Sequence, residues 1–474
     1  MKIVILGGGT AGWLAAYYIS AAQPGIHDIT VIESSKIGII GAGEGATGLL
    51  TNVLSGQFFP KKIDLSEFMN FCDATNKIGI KFVDWSKDGG SFFSPLDGSN
   101  TAISTNDIIF KYVLSKFGNK KIHLASRLGV DYHTGKNYEV IDALHFNAHK
   151  VGQFFKNSCI TLGVKFYDTI VHNIQQDKET GDITNLIIDD GVLIGGDFFI
   201  DCSGFNRVLM NKLDVNWISY KKSLPLNSAI PFLLDYQPND YIEPCTTATA
   251  LSSGWMWDIP LKNRRGCGYV FNDQFITADE AKKELEKKLN RPITPIKVIK
   301  FDPGRSEVLW KNNVLGLGLA SSFVEPLQAT SIHTTLAQII IFVNDFLVKE
   351  KNYVNTFENK KSYNKRMCEM YDITLDFISL HYQGGRQDTE FWRWVKEDNI
   401  ISPYVKDLIE RSKYKVLGHH EIGIKFGAPA VGLWNWTMAG LNLIDPETAT
   451  EDLIATELYN KAEEMFINFL SHHR

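Results

Sequence analysis

The run Gly7-Gly8-Gly9-Thr10-Ala11-Gly12 narrows what this chain can become more than any other feature, because of what flanks it. Lys2–Leu6 ahead of it reads as a buried strand, and an apolar helix follows from near Trp13 through Ala16 and Ile19. Ile29–Ile32 makes a second strand that ends on Glu33. Strand, G-x-G-x-x-G turn, helix, strand and acid is the order in which a parallel βαβ unit holds a dinucleotide. Gly7 permits the tight turn, Gly9 lets a pyrophosphate approach the backbone, and Gly12 lets the helix pack on the sheet. Thr10 and Ala11 open that helix, whose first N–H groups lack intrahelical partners and favour an anion. Glu33, roughly 20 residues beyond Gly12, is the expected acceptor for ribose hydroxyls. A tight strand–helix turn with no ligand is the plainer alternative, and the second strand and the acid count against it.

A second stretch separates the candidate dinucleotides. Val192–Arg207 reads VLIGGDFFIDCSGFNR, in which the strand Phe198–Ile200 delivers Asp201, Cys202, Ser203 and Gly204 to a turn. This resembles the late strand with which FAD enzymes return to the first βαβ unit, so Asp201 and Gly204 are candidate cofactor contacts. A compact NAD domain has no need of so distant a return. The loop Gly41-Ala42-Gly43-Glu44-Gly45-Ala46-Thr47 adds backbone able to hug a ligand, with Gly43 and Glu44 as candidates.

Composition excludes several classes. The net charge is −5, with Lys and Arg scattered, whereas a nucleic-acid partner demands a basic surplus. No apolar run reaches the ~18 residues of a membrane span, and Ile3–Leu6 is too short for a signal peptide. The six cysteines form no C-x-x-C pair and read as reduced thiols of a cytoplasmic protein. No metal site is expected.

Further motifs make a family resemblance specific. Trp255-Met256-Trp257-Asp258-Ile259-Pro260 matches the W-x-W-x-I-P hallmark of the flavin-dependent tryptophan-halogenase family, and GGGTAGW at Gly7–Trp13 matches its opening. GAGEGAT is similar to its G-x-G-E-x-T segment, with one extra glycine. Ile80-Lys81-Phe82-Val83-Asp84-Trp85 resembles the segment that carries its catalytic lysine, which maps onto Lys81. His145-Phe146-Asn147-Ala148-His149 resembles a segment leading into a helix near the flavin, and Phe323–Ile332 (FVEPLQATSI) resembles the flavin-and-halide loop. His381-Tyr382 and Phe391-Trp392-Arg393 match further landmarks.

The resemblance implies an FADH2-dependent halogenase. Reduced FAD, supplied by a separate flavin reductase, would turn oxygen and halide into hypohalous acid, which travels an internal tunnel to an electron-rich aromatic substrate. Pro326 and Leu327 would contact the flavin, and the N–H groups of Thr330 and Ser331 would hold halide at a helix start, although an ordinary threonine cap fits the sequence as well. Lys81 lies between Ile80 and Phe82; the residues alone read as a surface strand lysine, whereas under the resemblance burial would lower its pKa from about 10.4. It would either hydrogen-bond the hypohalous acid or accept the halogen as a haloamine. Trp255 and Trp257, two apart on a strand, face one side; the residues alone fit core packing equally well, and the resemblance implies that they wall substrate off from the flavin. The tryptophan-specific members carry a glutamate where this chain has Gln328, and an amide cannot take a proton from an arenium intermediate. Activity on electron-rich indoles, phenols or azoles is therefore expected, with bromide or iodide favoured over chloride. Trp434 and Trp436 read as aromatic core packing.

The expected fold is α/β: a Rossmann-like FAD-binding module interleaved with further β-sheet over residues 1–350, and a mainly helical part over 351–474. A flavin monooxygenase would share the FAD fingerprints yet lack W-x-W-x-I-P. A non-catalytic FAD-binding protein would have no use for the lysine or the tryptophan pair.

Overall fold

The computed structural model of the chain describes residues 1–38, 44–58, 62–95, 107–126, 143–347, 354–423, 425–454 and 457–472. These fall into two compact units, each assembled from three stretches of chain: Met1–Ala74, Phe146–Tyr220 and Pro303–Asp372 in the first, Thr75–His145, Lys221–Asp302 and Ile373–Arg474 in the second. The chain before residue 350 is thus shared between both units. The boundary expected at 350 lies in the segment 348–353, outside the described residues.

The first unit is built on a six-stranded sheet, in the order Trp310–Lys311, Val314–Gly316, Phe198–Asp201, Lys2–Leu6, Asp28–Glu33 and Lys165–Asp168. Lys2–Leu6 is central and parallel to both neighbours: Leu6 pairs with Ile32 on one side and with Asp201 on the other. Burial on both faces is what an unbroken apolar strand signals. Val4 and Leu6 face a core with Leu186, Phe199, Leu209 and Met210. The helix Thr10–Ala22 is buried from Gly12 through Ala21. It packs on the helix Ala148–Thr161, with the Tyr17 and Phe155 rings 5.1 Å apart. Asn147 caps that second helix by accepting from the N–H of His149 at 3.2 Å.

The second unit carries a seven-stranded sheet, in the order Ile299–Lys300, Ser228–Leu234, Arg265–Phe271, Gly254–Pro260, Cys245–Leu251, Gly79–Val83 and Ser91–Pro95. The charged helix Ala278–Leu289 buries only Ala281 and Leu285, both in a core with Phe232, Met256, Tyr269 and Phe271. A capping box starts it, with Thr277 and Glu280 satisfying each other's backbone N–H groups. The apolar runs Ile78–Trp85 and Gly266–Phe271 form the strands Gly79–Val83 and Arg265–Phe271. The C-terminal part is helical, including Glu390–Asp398, Pro403–Ser412, Val431–Gly440 and Leu458–His472. Trp434 and Trp436 are fully buried there against Phe377 and Phe110, as core packing requires. Among the described residues no helix is long and apolar enough to cross a membrane, and no group of His, Cys, Asp and Glu is arranged to hold a metal ion.

Candidate active site

In the first unit the glycine turn has the geometry its sequence asks for. Gly7 has φ +118°, a region side-chain-bearing residues avoid, and a Cβ there would meet the Cys202 carbonyl oxygen at 2.2 Å. A Cβ on Gly12 would sit 1.9 Å from the Gly7 carbonyl oxygen, whereas one on Gly9 would meet nothing within 4 Å. Two of these glycines therefore serve the protein's own packing, and Gly9 borders open space. The helix that follows has Gly9 as its N-cap and no side-chain cap, leaving the turn before Thr10 and Ala11 open to an anion. An open cradle at an uncapped helix start fits the pyrophosphate of a dinucleotide.

Glu33 lies against this turn. Its Oε2 accepts from the Trp13 indole N–H at 3.1 Å, and its Oε1 is paired with the Lys156 ammonium. The late strand returns as expected, with the Cys202 N–H donating to the Leu6 carbonyl at 2.7 Å. Asp201 is employed differently from the sequence reading. Its carboxylate accepts from the Ser203 N–H and hydroxyl at 3.0 and 2.6 Å, and from the Leu209 and Met210 N–H groups at 2.8 and 2.9 Å. Those bonds use the capacity of a carboxylate, so Asp201 holds its own turn together and has none left for a ligand. Complete burial raises its pKa against these donors. Gly204 has φ +70° in that turn. Glu44 is buried, and its carbonyl accepts from the Phe146 N–H at 2.8 Å. Gly43 lies outside the described residues.

The loop at Pro326 is a short 3₁₀ turn, Pro326–Gln328, followed by Ala329 at φ 55° and the helix Thr330–Ile341. Ala329 is the N-cap and supplies no side-chain cap, so Thr330 is the first helical residue rather than a capping one. The Thr330 hydroxyl oxygen is buried with no partner among the described residues. An uncapped helix start beside such a hydroxyl suits a small anion. An alanine in the left-handed region is a strained choice, and such strain gathers at functional loops. Leu327 and Gln328 are buried in the turn, and Ser331 is half-buried.

In the second unit Trp255 and Trp257 are both buried on the strand Gly254–Pro260, with ring centroids 6.3 Å apart. A Cβ on Gly268 would strike the Trp257 ring at 2.1 Å, so the glycine lets that ring lie across the next strand. Trp255 continues into an aromatic cluster with Trp85, which also meets Trp392, Tyr382 and His381. His381, Tyr382 and Trp392, from the landmarks singled out in the sequence, thus pack on Trp85, which itself meets Trp255.

Lys81 is not among them. Lys81 pairs with Thr247, which pairs in turn with Asp258, so these three share one face of the sheet. Phe82 and Ala248 align with Trp257 on the other face. Lys81 is half-buried and lines a cleft of about 360 Å³ with Tyr236, Tyr241, Glu243 and Asp258.

A second lysine, which the sequence reading passed over, has the setting that was expected of Lys81. Lys77 is 1% exposed, on the short strand Thr75–Lys77 that pairs with Ala143–His145. Burial lowers its pKa to about 7, with Cys245 opposing the shift. Among the described residues it forms no ion pair. Beside it, Thr75 donates its hydroxyl proton to the Pro260 carbonyl at 2.6 Å and so can only accept from His145 Nδ1. His145 Nε2 is then the acceptor for the Thr246 hydroxyl at 2.9 Å. Complete burial and the Lys77 charge hold this histidine neutral, its pKa well below the usual value. In the sequence Lys77 stands just ahead of the strand-like run that carries Lys81, and nothing else marks it.

The family model described as tryptophan halogenase matches residues 2–444. Tryptophan 7-halogenase RebH of Lentzea aerocolonigenes is 33% identical, over 84% of this chain and 79% of that protein. Tryptophan 6-halogenase SttH of Streptomyces toxytricini is 30% identical, over 96% and 94%. The crystal structure of SttH aligns with a TM-score of 0.85, covering 100% of this chain and 96% of that one at 26% identity. BrvH, a flavin-dependent halogenase from Brevundimonas sp. BAL3, aligns at 0.83 with 26% identity, covering 100% and 96%. The chain belongs to the tryptophan halogenase family of flavin-dependent oxidoreductases.

Proposed function

We propose that this chain binds FAD, takes it reduced from a separate flavin reductase, and halogenates an electron-rich aromatic substrate such as an indole, phenol or azole. The observation that carries the reading is Lys77, a buried lysine with a pKa near 7 in a chain of this family. The bound reduced flavin would supply two electrons and two protons, with which oxygen, halide and one further proton become hypohalous acid and water.

The residues have separate tasks. The open cradle at Gly9, Thr10 and Ala11 receives the pyrophosphate, and Glu33 the ribose. Pro326 and Leu327 border the flavin, and the uncapped start of the Thr330–Ile341 helix holds halide through the Thr330 and Ser331 N–H groups. Lys77 replaces Lys81 as the relay, because a desolvated ammonium polarises the oxygen–halogen bond without competing water, and its neutral form is a nucleophile accessible near pH 7. Trp255 and Trp257 close off an apolar wall. Gln328 holds a hydrogen-bond partner but takes no proton, so turnover leans on the substrate's own reactivity and on the ease of oxidising the halide. Bromide or iodide therefore outpaces chloride.

The relatives' names specify tryptophan; for this chain the test is a mass-spectrometric screen of tryptophan, indoles, phenols and azoles with supplied FADH2 and each halide. Halide-dependent products with bromide above chloride support the reading. Hydroxylated products without halogen, or flavin bleached by NADH alone, would favour a monooxygenase.

A further inference from the structure

We infer that Lys156 is a positioning residue: it fixes the Glu33 carboxylate for the adenosine ribose and thereby makes this chain select a flavin dinucleotide over a flavin mononucleotide. The inference rests on the FAD-binding reading above and goes beyond it by naming what sets the carboxylate's orientation.

Glu33 ends its strand directly against the glycine turn: a Cβ on Gly8 would meet Glu33 Oε2 at 1.9 Å. Its carboxylate is held from two sides. The Trp13 indole N–H donates to Oε2 at 3.1 Å, and the Lys156 ammonium reaches Oε1 from the middle of the helix Ala148–Thr161. Lys156 is itself confined, its Nζ lying 4.3 Å from the centroid of the Phe166 ring and 5.7 Å from that of Trp13. Both charged side chains are mostly buried, at 21% and 17% exposure, so the pair is not a loose surface contact.

The acceptor count explains the arrangement. A carboxylate offers about four lone-pair positions. Trp13 and Lys156 occupy one on each oxygen, which leaves one on each for a pair of vicinal hydroxyls. A ribose presents such a pair, and a carboxylate already locked in place loses little rotamer freedom on meeting it. Lys156 also supplies the counter-charge that lets Glu33 stay beside a pyrophosphate site. A flavin mononucleotide has no adenosine ribose and never reaches Glu33.

Lys156 and Glu33 are examined together on the full-length apo chain, titrating FAD and flavin mononucleotide separately by fluorescence quenching. Lys156→Met is expected to weaken FAD binding about tenfold while mononucleotide binding stays within about twofold, and Lys156→Arg to restore most of the loss. Because Lys156 acts through Glu33, Lys156→Met should add little in a Glu33→Gln background. Lys156→Gln serves in the same cycle should the methionine variant melt below the assay temperature. Unchanged FAD affinity overturns the proposal. So does an equal loss for both flavins, additivity with Glu33→Gln, or an arginine no better than methionine. A wild-type chain that binds neither flavin overturns the cofactor reading itself, and this inference with it.

Discussion

Lys81 and Trp257 lie on opposite faces of one sheet: Lys81 is in register with Thr247, and Trp257 with the adjacent Ala248. Successive residues of a strand point to opposite sides, so this one-residue offset decides the matter. Lys81 opens onto a polar cleft with Tyr236 and Glu243, while the tryptophans face an aromatic core. Lys77, on the separate short strand Thr75–Lys77, is the buried one.

The two lysines should therefore separate cleanly. Lys77→Met is expected to lower halogenation by at least about 100-fold, and Lys81→Met to leave it within about threefold. Product is counted by mass spectrometry with free hypohalite scavenged and flavin binding checked in parallel. The reverse ranking would return the relay to Lys81.

Lys77 also ties stability to pH. Its folded pKa, about 7, lies below the ordinary lysine value of about 10.4. Between these values the unfolded chain holds a proton that the folded chain lacks, so this group's contribution to stability rises with pH from about 7 to about 10. The slope reaches about 1.4 kcal/mol per pH unit. Urea midpoints of wild type and Lys77→Met at pH 6, 8 and 9 should converge as pH increases, the variant gaining most at pH 6. Parallel curves would mean the lysine does not titrate in this range.

The glycine turn separates folding from binding. Gly12→Ala forces a Cβ into the Gly7 carbonyl and should lower both the melting temperature of the apo chain and its FAD affinity. Gly9→Ala meets no protein atom, so it should leave the melting temperature nearly unchanged and weaken FAD alone. Equal FAD affinity in Gly9→Ala and wild type would show that the pyrophosphate does not approach there.

His145 depends on a hydroxyl at each ring nitrogen. Thr75→Val removes the acceptor for Nδ1–H and the donor to Pro260, leaving buried polar groups unpaired, and should cost about 1–3 kcal/mol in urea unfolding. Thr75→Ser keeps the hydroxyl and should recover most of it. A neutral Thr75→Val would mean water reaches this network.

What the sequence determined by itself was whatever depends on neighbours along the chain. A strand, three spaced glycines and a helix in series dictate the turn at Gly7–Gly12, because each steric demand is met within a few residues. The capping of helices at Asn147 and Thr277 is local in the same sense, as is the sharing of one face by Trp255 and Trp257. Tertiary structure alone decided which polar groups are buried and what they meet. Asp201 has the look of a ligand contact until Leu209 and Met210 are seen to occupy its carboxylate. Lys77 and Lys81, close together in the sequence, look alike until strand pairing buries one and leaves the other lining a cleft. Lys156 stands far along the chain from Glu33, and only the packing of two helices brings its ammonium to that carboxylate. Desolvation and charge pairing arise from groups that folding brings together from distant stretches of chain, so residue order leaves them open until the fold closes around them.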